Sequence, residues 1–423
     1  MDSREQAAFE RADTMTDRIL EHFQDVISVD TSVPPGKNYD VFMDVVEPKF
    51  QALGFETERV VIPQEHIDAI PLPLEGPRVN LVARRNSPAS NGEKVTIYAH
   101  IDVVPIEEGW TYEPFAATYE DGKIYGRGTA DMKGAIASLL TAIEVMDAEG
   151  IDPKYDLIVC LCTDEEIGGY PGIWHLAKEG YVQGHMLCLE GSQDPRVGLA
   201  SAGAVDVTIT TIGRSGHSGM NFLAVNAIDG MIPILNELYE LKQQVEKREG
   251  SVPGPPHPNA PSDKMTPMFN LSVINAGRKS NIVPSSCTLL INRRYIPEEK
   301  FEDVVGEIRE AVERGMERSV AEDVKIDVFH VYPALKKAGL EGEHTRKMYE
   351  AYKLVHGYKD EDFVFSGGSG STDMANVQQE LGWDDIPFTG PGRMDSRAHG
   401  ADEFVRMEDV KSHMKILIHY LAF

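Results

Sequence analysis

YAHIDVVP, Tyr98 to Pro105, places two chargeable residues inside an apolar run. The run reads as a buried strand, yet it carries an imidazole, His100, and a carboxylate, Asp102. They are two residues apart, so in an extended chain they point to one face. Whether that face belongs to a core or to a site depends on the rest of the chain.

Toward the N-terminus, helical periodicity covers about Arg4 to Val29 and stops at DTSVPPG; a second helix spans roughly Tyr39 to Leu53. Strands are expected at FETERVVI, RVNLVAR and KVTIYAHID, and a short extended piece at GKIYGRG. Met132 to Asp147 is a helix rich in alanine, leucine and isoleucine. DLIVCLCTDEE is an apolar strand with an acidic end, followed by a helix at Gly172 to Lys178 and a strand at HMLCLEG. This alternation predicts an α/β fold, a mixed-sheet domain with helices on both faces. In such sheets function gathers at the carboxyl ends of the strands.

The texture changes near Ala204. VDVTITTIGRSG alternates like a half-buried strand. A helix at about Leu223 to Lys247 carries Val225, Ile228, Ile232, Leu235, Leu238 and Leu241 as one apolar stripe. After the proline-rich VPGPPHPNAPS come strands at MFNLSVINAG and CTLLINRRYI, a helix at about Glu298 to Met316 and a strand at KIDVFHVYP. That order resembles a split βαβ layout. The expected organisation is a larger α/β domain in two parts, 1–204 and 331–423, around an inserted smaller α+β dimerisation domain, 205–330. Its helix and edge strand suggest a homodimer or higher homo-oligomer.

Composition narrows the function. The 423 residues suffice for two domains, and 42% hydrophobic with 26% charged residues is globular. A net charge of −27 argues against nucleic-acid and membrane-surface partners. Cys160, Cys162, Cys188 and Cys287 form no CxxC pair and read as buried reduced thiols. The N-terminal MDSREQAAFERAD is not a signal peptide, and no apolar run approaches membrane-span length, so the cytoplasm is the expected location.

Acids and imidazoles recur where strands end. Asp131 in GRGTADMKGA precedes a helix, and an N-cap would explain it alone. Asp164, Glu165 and Glu166 crowd the end of a buried strand in TDEEIGG, where like charges repel unless something cationic intervenes. In CLEGS, Glu190 ends another apolar strand, and His399 lies in a loop, SRAHGADEF. Singly, each has a structural explanation. Together, His100, Asp131, Glu166, Glu190 and His399 supply two imidazoles and three carboxylates, a set that two divalent cations would neutralise. Nitrogen and oxygen ligands without sulfur suit zinc, and also manganese or cobalt.

HIDVVP, GRGTADMKG, TDEEIGG, LEGS, GHSG, NIVP with NRRYIPEE, and GPG with AHGADE run in order across nearly the whole chain. In these motifs the sequence resembles the co-catalytic zinc peptidase family of acetylornithine deacetylase, succinyl-diaminopimelate desuccinylase, aminoacylase and carboxypeptidase G. The resemblance implies that Asp131 bridges two metals. His100 and Glu190 would complete one site, Glu166 and His399 the other. Asp102 would accept a hydrogen bond from the far ring nitrogen of His100. Glu165 would be the general base, moving a proton from the attacking water to the leaving nitrogen.

From the inserted domain, the resemblance implies that His217 in GRSGHSG reaches the partner subunit's active site, and that Asn281 and Arg294 bind a substrate carboxylate. Guanidinium suits that task, and Arg293 is the rival. Gly370 and Ser371, in SGGSGSTD, either bind anionic substrate groups or belong to a hinge. Two positions depart from the family pattern: Asn292 replaces a usual aspartate, and Met-Asn-Phe follows GHSG where a proline is common. The implied activity is metal-dependent hydrolysis of the amide C–N bond of an N-acyl amino acid or small peptide. The alternatives are a hydrolase of a non-peptide C–N bond, such as the amino group of an aromatic acid, and a non-catalytic metabolite-binding relative.

Overall fold

Parallel pairing brings the ends of three strands to one edge. In the computed structural model, which describes residues 2–168 and 172–423, Lys94–His100 pairs in parallel with both Asp156–Cys162 and His185–Cys188. The register sets His100 beside Cys162, and Tyr98 beside Cys188. Glu165 and Glu166 therefore follow one neighbour of the His100 strand, and Glu190 follows the other. Val79–Arg85 and Glu56–Val61 complete the sheet in antiparallel pairs, so it is mixed, as expected. Gly169, the last residue of TDEEIGG, lies outside the described residues.

The crossover between the first two parallel strands is the helix Lys133–Ala148, buried over nearly its whole length. Such a helix is apolar all round because it is covered on every side. It packs on Thr16–Ile27 and on the C-terminal helix Met407–Ala422. The single N-terminal helix expected from the sequence is two, Ser3–Thr14 and Thr16–Ile27, interrupted at Met15. All four cysteines are buried, and none is in a disulfide. No described helix is long and apolar enough to cross a membrane.

The chain divides into two compact units, one of residues 1–197, 337–364 and 376–423, the other of residues 198–336 and 365–375. The second unit thus takes in a segment, 365–375, that lies well beyond the insertion read from the sequence. Its main sheet is antiparallel, ordered Met268–Ala276, Ser286–Tyr295, Gly203–Ile212, Asp323–Tyr332. Inward residues such as Val205, Val207, Ile209, Leu289 and Ile291 pack against Ala227–Val245 and Phe301–Met316.

The stripe expected on the first of these helices is only partly correct. Met231, Ile234, Leu238, Leu241 and Val245 are buried, whereas Ile228 and Ile232 are 39% and 50% exposed. Both kinds of position recur at helical spacing, so periodicity alone did not distinguish the buried face from its neighbour. Tyr239 joins the exposed row, and Val273 and Ile274 of the edge strand are exposed too.

Candidate metal centre

The strand Lys94–His100 ends by burying the His100 ring completely. Its Nδ1 meets the backbone carbonyl of Asp102 at 3.0 Å, while the Asp102 carboxylate is 3.6 Å away. The ring is therefore oriented chiefly by main chain, rather than by the carboxylate the sequence pointed to. That carboxylate, fully buried, accepts instead from the Glu166 N–H at 2.9 Å. It ties two strand ends together.

Asp131 is not an N-cap. The cap position of the following helix is Met132, with no side-chain cap bond. The Asp131 carboxylate instead lies between two imidazoles, with His100 Nε2 3.2 Å from Oδ1 and His399 Nε2 3.3 Å from Oδ2. His399 also lies 3.1 Å from Glu166. The glycines around Asp131 have steric reasons. Gly128 has φ +85°, and a Cβ on Gly134 would fall 2.0 Å from the Thr129 carbonyl.

Ligand atoms of His100, Asp131 and Glu166 all lie within 4.8 Å of one another, with His399 against the last two. The Glu190 carboxylate is within 4.8 Å of that of Glu165 instead. Electrostatics show what this cluster demands. Burial opposes charge on His100, yet Asp131, Asp102 and Glu165 hold its imidazole well above the usual histidine range. Bonds to Asp131 and Glu166 raise His399 to about 10. Burial pushes Asp131 up, but the two imidazoles outweigh it and hold the carboxyl well below its ordinary value. Burial raises Asp102 and Glu166. The acids thus draw positive charge onto the two imidazoles beside them. Nitrogen and carboxylate oxygen converging in a partly buried, anionic cluster fit hard or borderline divalent cations.

Two buried arginine–carboxylate pairs beneath the cluster were not legible in the sequence. Arg78, fully buried, contacts Asp164 at 3.3 Å, and the Tyr39 hydroxyl donates to the same carboxylate at 3.0 Å. Asp164 sits at φ +64°, so the backbone turns sharply just before Glu165 and Glu166. Burial, opposed by Arg78, pushes this carboxyl up to about 6. The other pair is Arg127 with Glu403, at 2.8 Å.

The second unit holds the remaining candidates. Arg293 is buried and bonded to Glu299 at 2.5 Å, so it is committed to its own domain. Arg294 is only half-buried and donates to the Ser371 hydroxyl at 2.8 Å. Ser371 donates in turn to the Ala202 carbonyl, which leaves Gly370 beside it on the same loop. Asn292 bonds Asp206 at 2.7 Å. His217 and Asn281 are exposed neighbours on a two-stranded ribbon, where the Ser218 N–H donates to the Asn281 carbonyl.

A model of peptidase family M20/M25/M40 matches residues 96–422. The chain belongs to this family. It is accordingly a metal-dependent hydrolase, and the cluster lies wholly within the matched span. A probable succinyl-diaminopimelate desuccinylase of Staphylococcus epidermidis is 28% identical over 387 residues, covering 84% of this chain and 89% of that protein. The acetylornithine deacetylase of Photorhabdus laumondii is 28% identical over 321 residues, covering 75% of this chain and 76% of that one. Among solved structures, a di-peptidase of Saccharomyces cerevisiae has TM-score 0.78 at 17% identity, covering 99% of this chain and 98% of that one. An M20 metallo-carboxypeptidase of Sulfolobus solfataricus has TM-score 0.74 at 18% identity, with the same coverage. These two share the fold.

Proposed function

We propose that the protein cleaves the amide C–N bond of an N-acyl amino acid or small peptide carrying a free carboxylate. The observation that carries this is Asp131, whose two oxygens each face a different imidazole, His100 and His399. That arrangement supports a bridging carboxylate between two metal sites, one completed by Glu190 and the other by Glu166. Divalent ions bound there, zinc by preference with manganese or cobalt as substitutes, would polarise the amide carbonyl and acidify a water.

Glu165 takes a proton from the attacking water and delivers it to the leaving nitrogen. It is buried, and its carboxylate adjoins that of Glu190. Asp102 keeps Glu166 in place through the Glu166 N–H. Arg294, with Ser371 and Gly370 beside it, pairs with the substrate carboxylate, and Asn281 assists. His217 serves the active site of a partner subunit, which requires at least a dimer. The exposed row of Ile228, Ile232 and Tyr239 beside an exposed edge strand supports that assembly. Four buried cysteines outside any disulfide suit a reducing cytoplasm.

The test is hydrolysis of a panel of N-acetyl and N-succinyl amino acids, dipeptides and amino-substituted aromatic acids. Chelator-stripped enzyme would receive zinc, manganese or cobalt. Metal-dependent turnover of one amide class is the expected result. Silence on every amide at full metal occupancy would sink the reading.

A further inference from the structure

Glu403 lies outside the ligand set, yet it touches the loops of two of its members. The strand Phe404–Arg406 pairs with Lys123–Tyr125, and Phe404 faces Tyr125. This register sets Glu403 against the turn Gly126 to Asp131. Its carboxylate is fully buried and accepts four hydrogen bonds. Oε1 takes the N–H groups of Ala130 and Asp131 at 2.8 and 3.0 Å. Oε2 takes the Gly128 N–H at 3.1 Å and Arg127 at 2.8 Å. Arg127, also buried, turns its other terminal nitrogen to the carbonyl of His399 at 3.2 Å.

We infer that Glu403 and Arg127 are positioning residues that set the Asp131 carboxylate and the His399 imidazole relative to each other, and thereby the spacing of the two metal sites. Glu403 holds the Asp131 loop by its main chain, leaving that side chain free to ligate. Arg127 carries the restraint to the His399 loop, whose own backbone is held at φ +66°. A salt bridge that only stabilised the fold would need neither the three loop N–H donors nor the tie to His399. Such supporting contacts are worth about 10–100-fold in metal affinity.

The inference rests on the two-metal reading, and a stepwise titration separates the two. Metal-free full-length protein would be titrated calorimetrically with zinc, alongside Glu403→Gln and Arg127→Lys. Glutamine turns a donor toward Arg127 and the Gly128 N–H, so Glu403→Gln should weaken both metal equivalents about 10–100-fold. Lysine keeps the charge but cannot span Glu403 and the His399 carbonyl. Arg127→Lys should weaken chiefly the equivalent completed by His399. If Glu403→Gln fails to fold, Arg127→Lys decides alone. Metal affinities within twofold of the parent in a folded variant would overturn the inference, whatever its thermal stability. A parent protein that took up no divalent ion would overturn the two-metal reading and the inference together.

Discussion

The candidate residues of the two units differ in how firmly they are held. In the first unit two of the candidate ligands, Asp131 and Glu166, are each fixed from more than one direction. Asp131 is held through its N–H by Glu403 and through its carboxylate by two imidazoles. Glu166 is held by Asp102 at its N–H and by His399 at its side chain. In the second unit, His217 is exposed and accepts from the Gly219 N–H two residues away, on a ribbon two residues wide per strand. Geometry needed at the reacting bond is built in advance, because sub-ångström misplacement is costly there. Exposed groups on a short ribbon gain their geometry from whatever binds over them.

The sharpest way to break this contrast is at Glu165. Glu165→Gln should lower kcat by about 10²–10⁴ while leaving metal content nearly intact. Metal analysis beside steady-state kinetics checks it. Activity near that of the parent would remove Glu165 as the base.

The second unit should respond through assembly. If His217 works across a subunit boundary, Ile232→Asp should shift the protein toward monomer in sedimentation. It should also lower kcat by about 10²–10³, as loss of a transition-state donor does. His217→Ala should match that loss without altering the mass. A fully active monomer would show that the first unit needs no partner. Arg294→Lys should act more gently, raising KM about 10–100-fold for carboxylate substrates with kcat little changed, as loss of a charge-assisted hydrogen bond does. An unchanged KM would return Arg294 to a structural role with Ser371.

Legibility in the sequence followed the same division. The strand ends could be read because their signal is local: polar residues interrupting apolar runs at His100, Glu165, Glu166 and Glu190. The mixed sheet and the antiparallel second sheet followed from periodicity. What could not be read was anything made by contacts distant in sequence. Glu403 stands one residue past Asp402 in an acidic stretch, and only the register of Phe404 with Tyr125 reveals its partners. Arg78 and Tyr39 meet Asp164 from separate segments. Ile228 and Ile232 looked like core because an exposed apolar row has the same period as one covered by its own chain.

The smallest effect expected concerns the C-terminal helix of the first unit. His413, on this helix, is fully buried, and among the described residues neither ring nitrogen has a hydrogen-bond partner. Burial depresses it to about 3 from an ordinary value of 6.5. Between those values the unfolded chain binds a proton that the folded protein refuses, so stability falls as pH drops from about 6.5 toward 3. At pH 5 the cost is about 2 kcal/mol, from the gap of roughly 1.5 pH units below the unfolded value. His413→Leu keeps the site apolar and removes the titration. Unfolding midpoints at pH 7.5 and pH 5 should draw apart less in the variant than in the parent. Metal-free protein should be used, so that proton competition for His100 and His399 does not enter. Equal acid losses in the two proteins would show that the ring finds a partner or a proton in the folded state. The acid sensitivity of the first unit would then lie in its carboxylates, among them Glu144, held down to about 2 by His22 and Arg18 against the effect of burial.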